Sequence, residues 1–152
     1  MNINLSIKEE FGRLVLSKIK EQIDLCKKGV EDLKDALVND TKSSAGDKYE
    51  TSRERISSDL NRLELQLIQY QKSYTFASKI NMEPKDRVEV GSLVLTNDGV
   101  YLFFLPLGKV ECEKGHFYSL SITSPIGQLF KNKEVGAEVT FQGRQYKILD
   151  VI

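Results

Sequence analysis

Polar, chemistry-bearing side chains gather in one short stretch of this chain, Ser43-Ser44-Ala45-Gly46-Asp47-Lys48-Tyr49-Glu50. It begins as a turn-forming cluster, and Asp47 and Glu50 then set two carboxylates one helical turn apart. Such acids can do polar chemistry on whatever the stretch touches, or simply serve the helix that carries them. Ser44-Ala45-Gly46-Asp47 fits a capping box, and an acid in the first turn favours the positive end of the helix dipole. Glu50 reads equally well as a solvated acid, and Asp40 as a helix-end acid. Lys48, Arg53, Arg55 and Arg62 follow, with Glu50, Glu54 and Asp59 at helical spacing to pair with them.

Other chemistries are excluded. His116 is the only histidine, so a multi-histidine metal site is ruled out, and beside Phe117-Tyr118 it reads as packed in a strand. Neither Cys26 nor Cys112 has a nearby histidine to support a nucleophile. The chain contains no G-x-S-x-G, G-x-x-x-x-G-K or G-x-G-x-x-G signature.

The elements that position the polar stretch can be read from the residues on either side. Ile19, Ile23, Cys26, Val30, Leu33 and Leu37 step by 4, 3, 4, 3 and 4, and so do Ile56, Leu60, Leu63, Leu67, Tyr70 and Tyr74. That is the spacing of a supercoiled helical seam. Paired outward, from Leu37 with Ile56 to Ile19 with Tyr74, the residue numbers of every pair total 93. A constant total means that the helices run antiparallel and fold back about position 46–47. Asp47 and Glu50 are thereby placed at the far end of a long hairpin.

Helix 1 is predicted from about Ser6, with Glu9 as capping partner, to about Asn39. Helix 2 is predicted from about Ala45 to Lys79, an arm on the order of 50 Å. Gly12 and Gly29 each cost roughly 1 kcal/mol inside a helix. Near the base the apolar pattern widens to Leu14, Val15 and Leu16, with Phe76 and Ile80 opposite. The base should therefore pack against the rest of the chain.

Lysine plus arginine number 22 and aspartate plus glutamate 22. A neutral chain gives no overall electrostatic case for nucleic acid or membrane, so any polar partner must meet a local patch. Two cysteines make no disulfide framework, and unpaired thiols imply a reducing compartment. With neither a signal peptide at Met1–Leu5 nor a run of about 18 apolar residues, a cytoplasmic protein is expected.

After Asn81-Met82-Glu83-Pro84-Lys85 the periodicity changes. Strands are predicted at 88–95, 100–105, 109–113, 116–122, 138–142 and 145–151, with turns at Asn97-Asp98-Gly99 and Gln142-Gly143-Arg144. Ser124 and Pro125 mark the cap and first residue of a short helix that ends near Lys131-Asn132-Lys133. The fold class is therefore α+β: an antiparallel coiled-coil hairpin over 1–80, its tip near 40–50, then a small α+β domain over 85–152.

Ser124-Pro125-Ile126-Gly127-Gln128-Leu129-Phe130, Lys133-Glu134-Val135-Gly136-Ala137-Glu138-Val139 and Tyr146-Lys147-Ile148-Leu149-Asp150-Val151 resemble the C-terminal domain of the Gre transcription elongation factors. Those factors join an N-terminal antiparallel coiled coil to an FKBP-like C-terminal domain. At the tip, Gly46-Asp47-Lys48-Tyr49-Glu50 reproduces the family's Gly-Asp-x-x-Glu. A second register competes: Lys48-Tyr49-Glu50-Thr51-Ser52-Arg53-Glu54 resembles the family's Glu-Tyr-x-x-Ala-Arg-Glu. It puts the family's acid positions on Lys42 and Ala45, and the tip is divergent in that sense.

The resemblance implies a monomer that docks its globular domain at the secondary channel of bacterial RNA polymerase. The coiled coil would enter the channel, and Asp47 and Glu50 would help hold a second Mg²⁺ supplied at the polymerase active centre. Backtracked RNA would then be cleaved by two-metal hydrolysis. Mg²⁺ needs few carboxylates, so the chain would carry no cofactor of its own. Lys48, Arg53 and Arg55 would meet the nascent RNA 3′ end or the channel, and Ser124, Pro125, Ile126 and Gly127 would form the docking face.

Alternatives remain open: a secondary-channel regulator or inhibitor that does not cleave, an FKBP-like isomerase or chaperone using Phe103, Phe104 and Phe117, and a homodimeric coiled-coil adaptor.

Overall fold

A computed structural model of the chain describes the backbone at residues 1–40 and 46–152, and the side chains of all of these except 40 and 46–49. Two long helices, α1 (Leu5–Asp40) and α2 (Gly46–Ser78), are followed by β1 (Leu93–Thr96), β2 (Gly99–Phe103), β3 (Gly108–Cys112) and β4 (Gly115–Leu120). The short α3 (Pro125–Phe130), β5 (Glu138–Phe141) and β6 (Arg144–Val151) complete the chain. The α+β class expected from the sequence is the class observed. By contacts the chain divides into two units, one of residues 1–17 with 76–152 and one of residues 18–75.

In the first unit the six strands form one sheet in the order β3-β4-β2-β1-β6-β5. Every neighbouring pair is antiparallel except β2 with β4. Phe141 pairs with Arg144 across a two-residue turn in which Gln142 (φ 49°) and Gly143 (φ 78°) are both left-handed, the backbone that suits a tight hairpin. Alternation then sorts the strands by face. Val94, Tyr101, Phe103, Tyr146 and Ile148 join Phe130 of α3 in one buried cluster.

The first turns of α1 belong to this unit. Phe11 stacks on Phe117 of β4 with ring centroids 3.9 Å apart and planes 7° from parallel. Ile3, Ile7, Phe11 and Val15 are all buried. Spaced by four, they form one helical stripe. The widened apolar base is thus real, but its composition differs from expectation. Phe76 is 58% exposed and Ala77 is the buried residue at the end of α2.

Three other local expectations are corrected. The N-cap of α1 is Asn4, whose Oδ1 accepts from the Ile7 N–H at 2.9 Å, so Ser6 lies inside the helix. The first strand begins at Leu93 because residues 87–92 turn: the Ser92 hydroxyl donates to the Arg87 carbonyl and accepts from the Glu89 N–H. Gly91, at φ 90°, sits where a Cβ would lie 2.5 Å from the Asn81 carbonyl oxygen. His116 lies in β4 but is exposed, its ring edge-on to Tyr118.

One buried charge is unexplained by hydrophobic patterning. Lys8 is fully buried, and its Nζ donates to the backbone carbonyls of Glu83 (2.8 Å) and Ile152 (3.1 Å). Burial, then repulsion from Lys85, lowers its pKa to about 8, against a smaller opposing pull from Glu89.

Two outcomes follow from this packing. Phe11→Ala should lower unfolding stability by about 3–5 kcal/mol, and residues 85–152 alone should lack cooperative thermal unfolding by circular dichroism. The folded chain releases the Lys8 proton before the unfolded chain does, so this group's stabilising contribution grows from about pH 8 and is complete above about 10.5. Its slope approaches 1.4 kcal/mol per pH unit. Urea unfolding across that range should show a rise in wild type that Lys8→Met lacks.

Candidate functional site

The second unit consists of the two helical arms. Along α1 the residues shielded most are Ile19, Ile23 and Cys26, and Val30, Leu33 and Leu37 are half-buried. On α2 the half-buried set includes Ile56, Leu60, Leu63, Leu67, Tyr70 and Tyr74. Most of the intervening charged positions are exposed, Asp59 and Glu64 being half-buried, which is the signature of a single shared seam.

The arms run antiparallel. Lys20, Ile23, Asp24 and Lys27 line one side of a cleft of about 330 Å³, and Gln71, Tyr74 and Thr75 line the other. Further along, Lys34 Nζ lies 3.8 Å from Glu64 Oε1, with both side chains largely exposed, so the pair contributes little. Gly29 explains itself here. A Cβ at that position would fall 2.6 Å from Leu63 Cδ2, and the glycine gives the leucine its place on the seam.

Ser43, Ser44 and Ala45 lie outside the described residues, as do the side chains of Asp47 and Lys48. Backbone helix begins at Gly46. Glu50, Arg53 and Arg55 are exposed, and Glu50, Arg53, Glu54, Ser57, Ser58 and Asn61 border a shallow polar groove. Arg62 Nη2 lies 3.4 Å from Asp59 Oδ1, one of the helical pairings read from the sequence. Among the described residues no group of three or more His, Cys, Asp or Glu is arranged to hold a metal ion.

Ser124, Pro125, Ile126 and Gly127 are brought together at the start of α3. The Ser124 hydroxyl accepts from the Gly127 N–H at 3.1 Å and donates to the Ser121 carbonyl at 2.6 Å. Pro125 occupies the first helical position and is exposed, while Ile126 packs partly into the core. Gly127 is buried, and a Cβ there would press on the carbonyl oxygens of Ser121 and Ile122. The quartet thus has local work whatever else it does, since serine caps the helix, proline starts it and glycine lets it lie against the preceding loop.

Beside α3 is a cavity of about 370 Å³ lined by Asp98, Tyr101, Tyr118, Leu120, Ile126, Phe141, Gln142, Arg144 and Tyr146. The phenylalanines considered for an isomerase pocket do not line it: Phe103, Phe104 and Phe117 are buried in the core. Tyrosines take the place expected of them. Tyr101 donates its hydroxyl to Asp98 Oδ2 at 2.9 Å; burial and that hydrogen bond raise its pKa. No local pattern could have revealed this wall. Tyr101 and Tyr118 become neighbours only through the parallel β2–β4 pairing.

Among the described residues no helix is long and apolar enough to cross a membrane, and Cys26 and Cys112 are free thiols. No family model and no curated protein matches the sequence. Solved structures that are similar to it include the following two. The crystal structure of GreA factor homolog 1 (Gfh1) of Thermus thermophilus is 15% identical with a TM-score of 0.41, covering 90% of this chain and 94% of that one. A structure of the transcription factor Gfh1 is 14% identical with a TM-score of 0.39, covering 90% and 92%. At scores this low, function has to be argued from the chain's own residues.

The α3 junction generates a test of local roles. Ser124→Ala should cost about 1 kcal/mol through the lost cap. Gly127→Ala should cost about 1–3 kcal/mol because its new methyl meets backbone oxygen and not a movable side chain. Urea unfolding of the two variants checks both values and their order.

Proposed function

We propose that this chain is a Gre-like transcription elongation factor that binds bacterial RNA polymerase through its secondary channel and promotes cleavage of backtracked RNA. The observation that carries this reading is the antiparallel hairpin whose far end bears the Gly46-Asp47-Lys48-Tyr49-Glu50 motif. A rod with one apolar seam and a charged end suits a target that lies deep inside another protein. A second support is the segment from Ser124 to Val151, which resembles the family in sequence.

The chain's part in the chemistry would be small and positional. Asp47 and Glu50 would add one or two carboxylate oxygens to Mg²⁺ held chiefly by the polymerase, in keeping with that ion's preference for few protein ligands. When bound, such a metal stabilises the attacking and leaving oxygens of the phosphodiester. Lys48, Arg53 and Arg55, on the first turns of α2, would set positive charge beside the RNA 3′ end.

The Lys48–Glu54 register favours a second reading. In it the family's acid positions fall on Lys42 and Ala45, which cannot bind a metal, and the same docking would block or modulate the channel without cleavage.

Stalled, backtracked polymerase complexes supplied with Mg²⁺ separate the two. Cleavage predicts shortened RNA on addition of the purified chain, reduced at least 100-fold in rate by Asp47→Ala, on the order of losing one electrostatic contribution to a transition state. Polymerase binding without RNA shortening supports the modulator, and absence of binding contradicts both readings.

A further inference from the structure

One open boundary of the sheet carries a pattern that an identical strand can match. β3 is the first strand in the sheet order, with β4 on one side and, among the described residues, no strand on the other. Its residues Gly108–Cys112 pair with β4 without a break in register. We propose that this chain self-associates through β3, two copies adding their edge strands antiparallel across a twofold axis at Val110. Such a dimer is independent of the polymerase reading and departs from the monomer that the family resemblance implies.

The main chain of β3 is set for such a partner. On the β2 side of β4, the Leu120 carbonyl accepts from the Phe104 N–H. Main-chain groups alternate in direction along a strand, so Gly115, Phe117 and Ser119 turn theirs toward β3. Their partners there are Cys112, Val110 and Gly108. Lys109 and Glu111 are left with N–H and C=O groups directed out of the sheet, where a second strand would meet them. Val110 and Phe117 are buried, and Phe117 stacks on Phe11 of α1. Lys114, in the β3–β4 turn, adds a 3.0 Å bond to Glu10 of α1. An edge anchored this way needs no rearrangement to receive a partner.

Side-chain charge selects the occupant and its register. Lys109 and Glu111 are exposed on one face of β3, with Lys109 Nζ 3.0 Å from Glu111 Oε1. When the Val110 residues of two copies are opposed, Lys109 of each copy lies across from Glu111 of the other. The residues that exchange the outward main-chain bonds are thus also the ones of opposite sign. A slip of two residues would set Lys109 against Lys109, or Glu111 against Glu111, and like charges directly opposite are unfavourable. A slip of one would set outward main-chain groups against inward ones. A charged edge normally discourages strand addition, but alternating sign lifts that penalty for an identical strand. Pro106 on one side and the Glu113-Lys114 turn on the other end the ladder, so the contact is short and the association weak.

The test is sedimentation velocity of the full chain from about 10 µM to about 1 mM, the range suited to a small contact, with reductant present so that Cys112 cannot link copies. A monomer–dimer equilibrium is expected within that range. Lys109→Glu or Glu111→Lys alone should weaken it about tenfold, because each sets like charges against one another in both cross-strand pairs. The double swap Lys109→Glu/Glu111→Lys restores opposite signs and should return the dissociation constant to within about twofold of wild type. Wild type that stays monomeric throughout overturns the inference, as do single variants that dimerise like wild type or a double swap that fails to recover. Thermal melting checks that each variant is folded, and if one single variant is not, the other decides.

Discussion

Every other feature of this molecule depends on helix α1 having two burial tasks, one in each unit. Its first turns give Ile3, Ile7, Phe11 and Val15 to the sheet unit. The later turns give Ile19, Ile23 and Cys26 to the seam with α2. Apolar spacing stays helical throughout, while the surface that covers it changes from strands to a second helix. A two-helix arm buries one stripe of each helix, and a small sheet needs both faces covered.

The sheet unit solves its second face unusually, by borrowing from the start of the chain. Phe11 against Phe117 is the centre of that contact, and Lys8 is drawn inside with it. The lysine's ammonium ends on the main-chain oxygens of Glu83 and Ile152. Burying a charge this way is costly. It ties the first turns of α1 to the connector at Glu83 and to the end of β6.

Much of this was legible because periodicity reports burial directly. The steps of four and three between Ile19 and Tyr74 identified the seam residues that are shielded, and Ser124-Pro125 marked the α3 start to the residue. What stayed hidden depended on tertiary neighbours. Ser6 and Asn4 both suit an N-cap, and only the turn geometry chose Asn4. Phe76 reads as core by its aromatic type, but it is exposed. Tyr101, Tyr118 and Tyr146 sit on three strands, two of which meet through the parallel β2–β4 pairing that no hairpin signal foretells. Lys8 could not be read as buried from its type, since lysine is almost always exposed.

The function proposed for this chain depends on the mirror pairing of the two arms. With Cys26→Ser and Cys112→Ser as background, the cysteine pairs Leu33→Cys/Leu60→Cys and Leu33→Cys/Tyr74→Cys can be treated with a bismaleimide of about 10 Å reach, close to the distance between packed helix axes. Rapid crosslinking within one chain for the first pair and none for the second is the predicted result. Equal reaction of both, or linkage only between chains, would contradict an antiparallel hairpin and remove the geometry that carries Asp47 and Glu50 to its end.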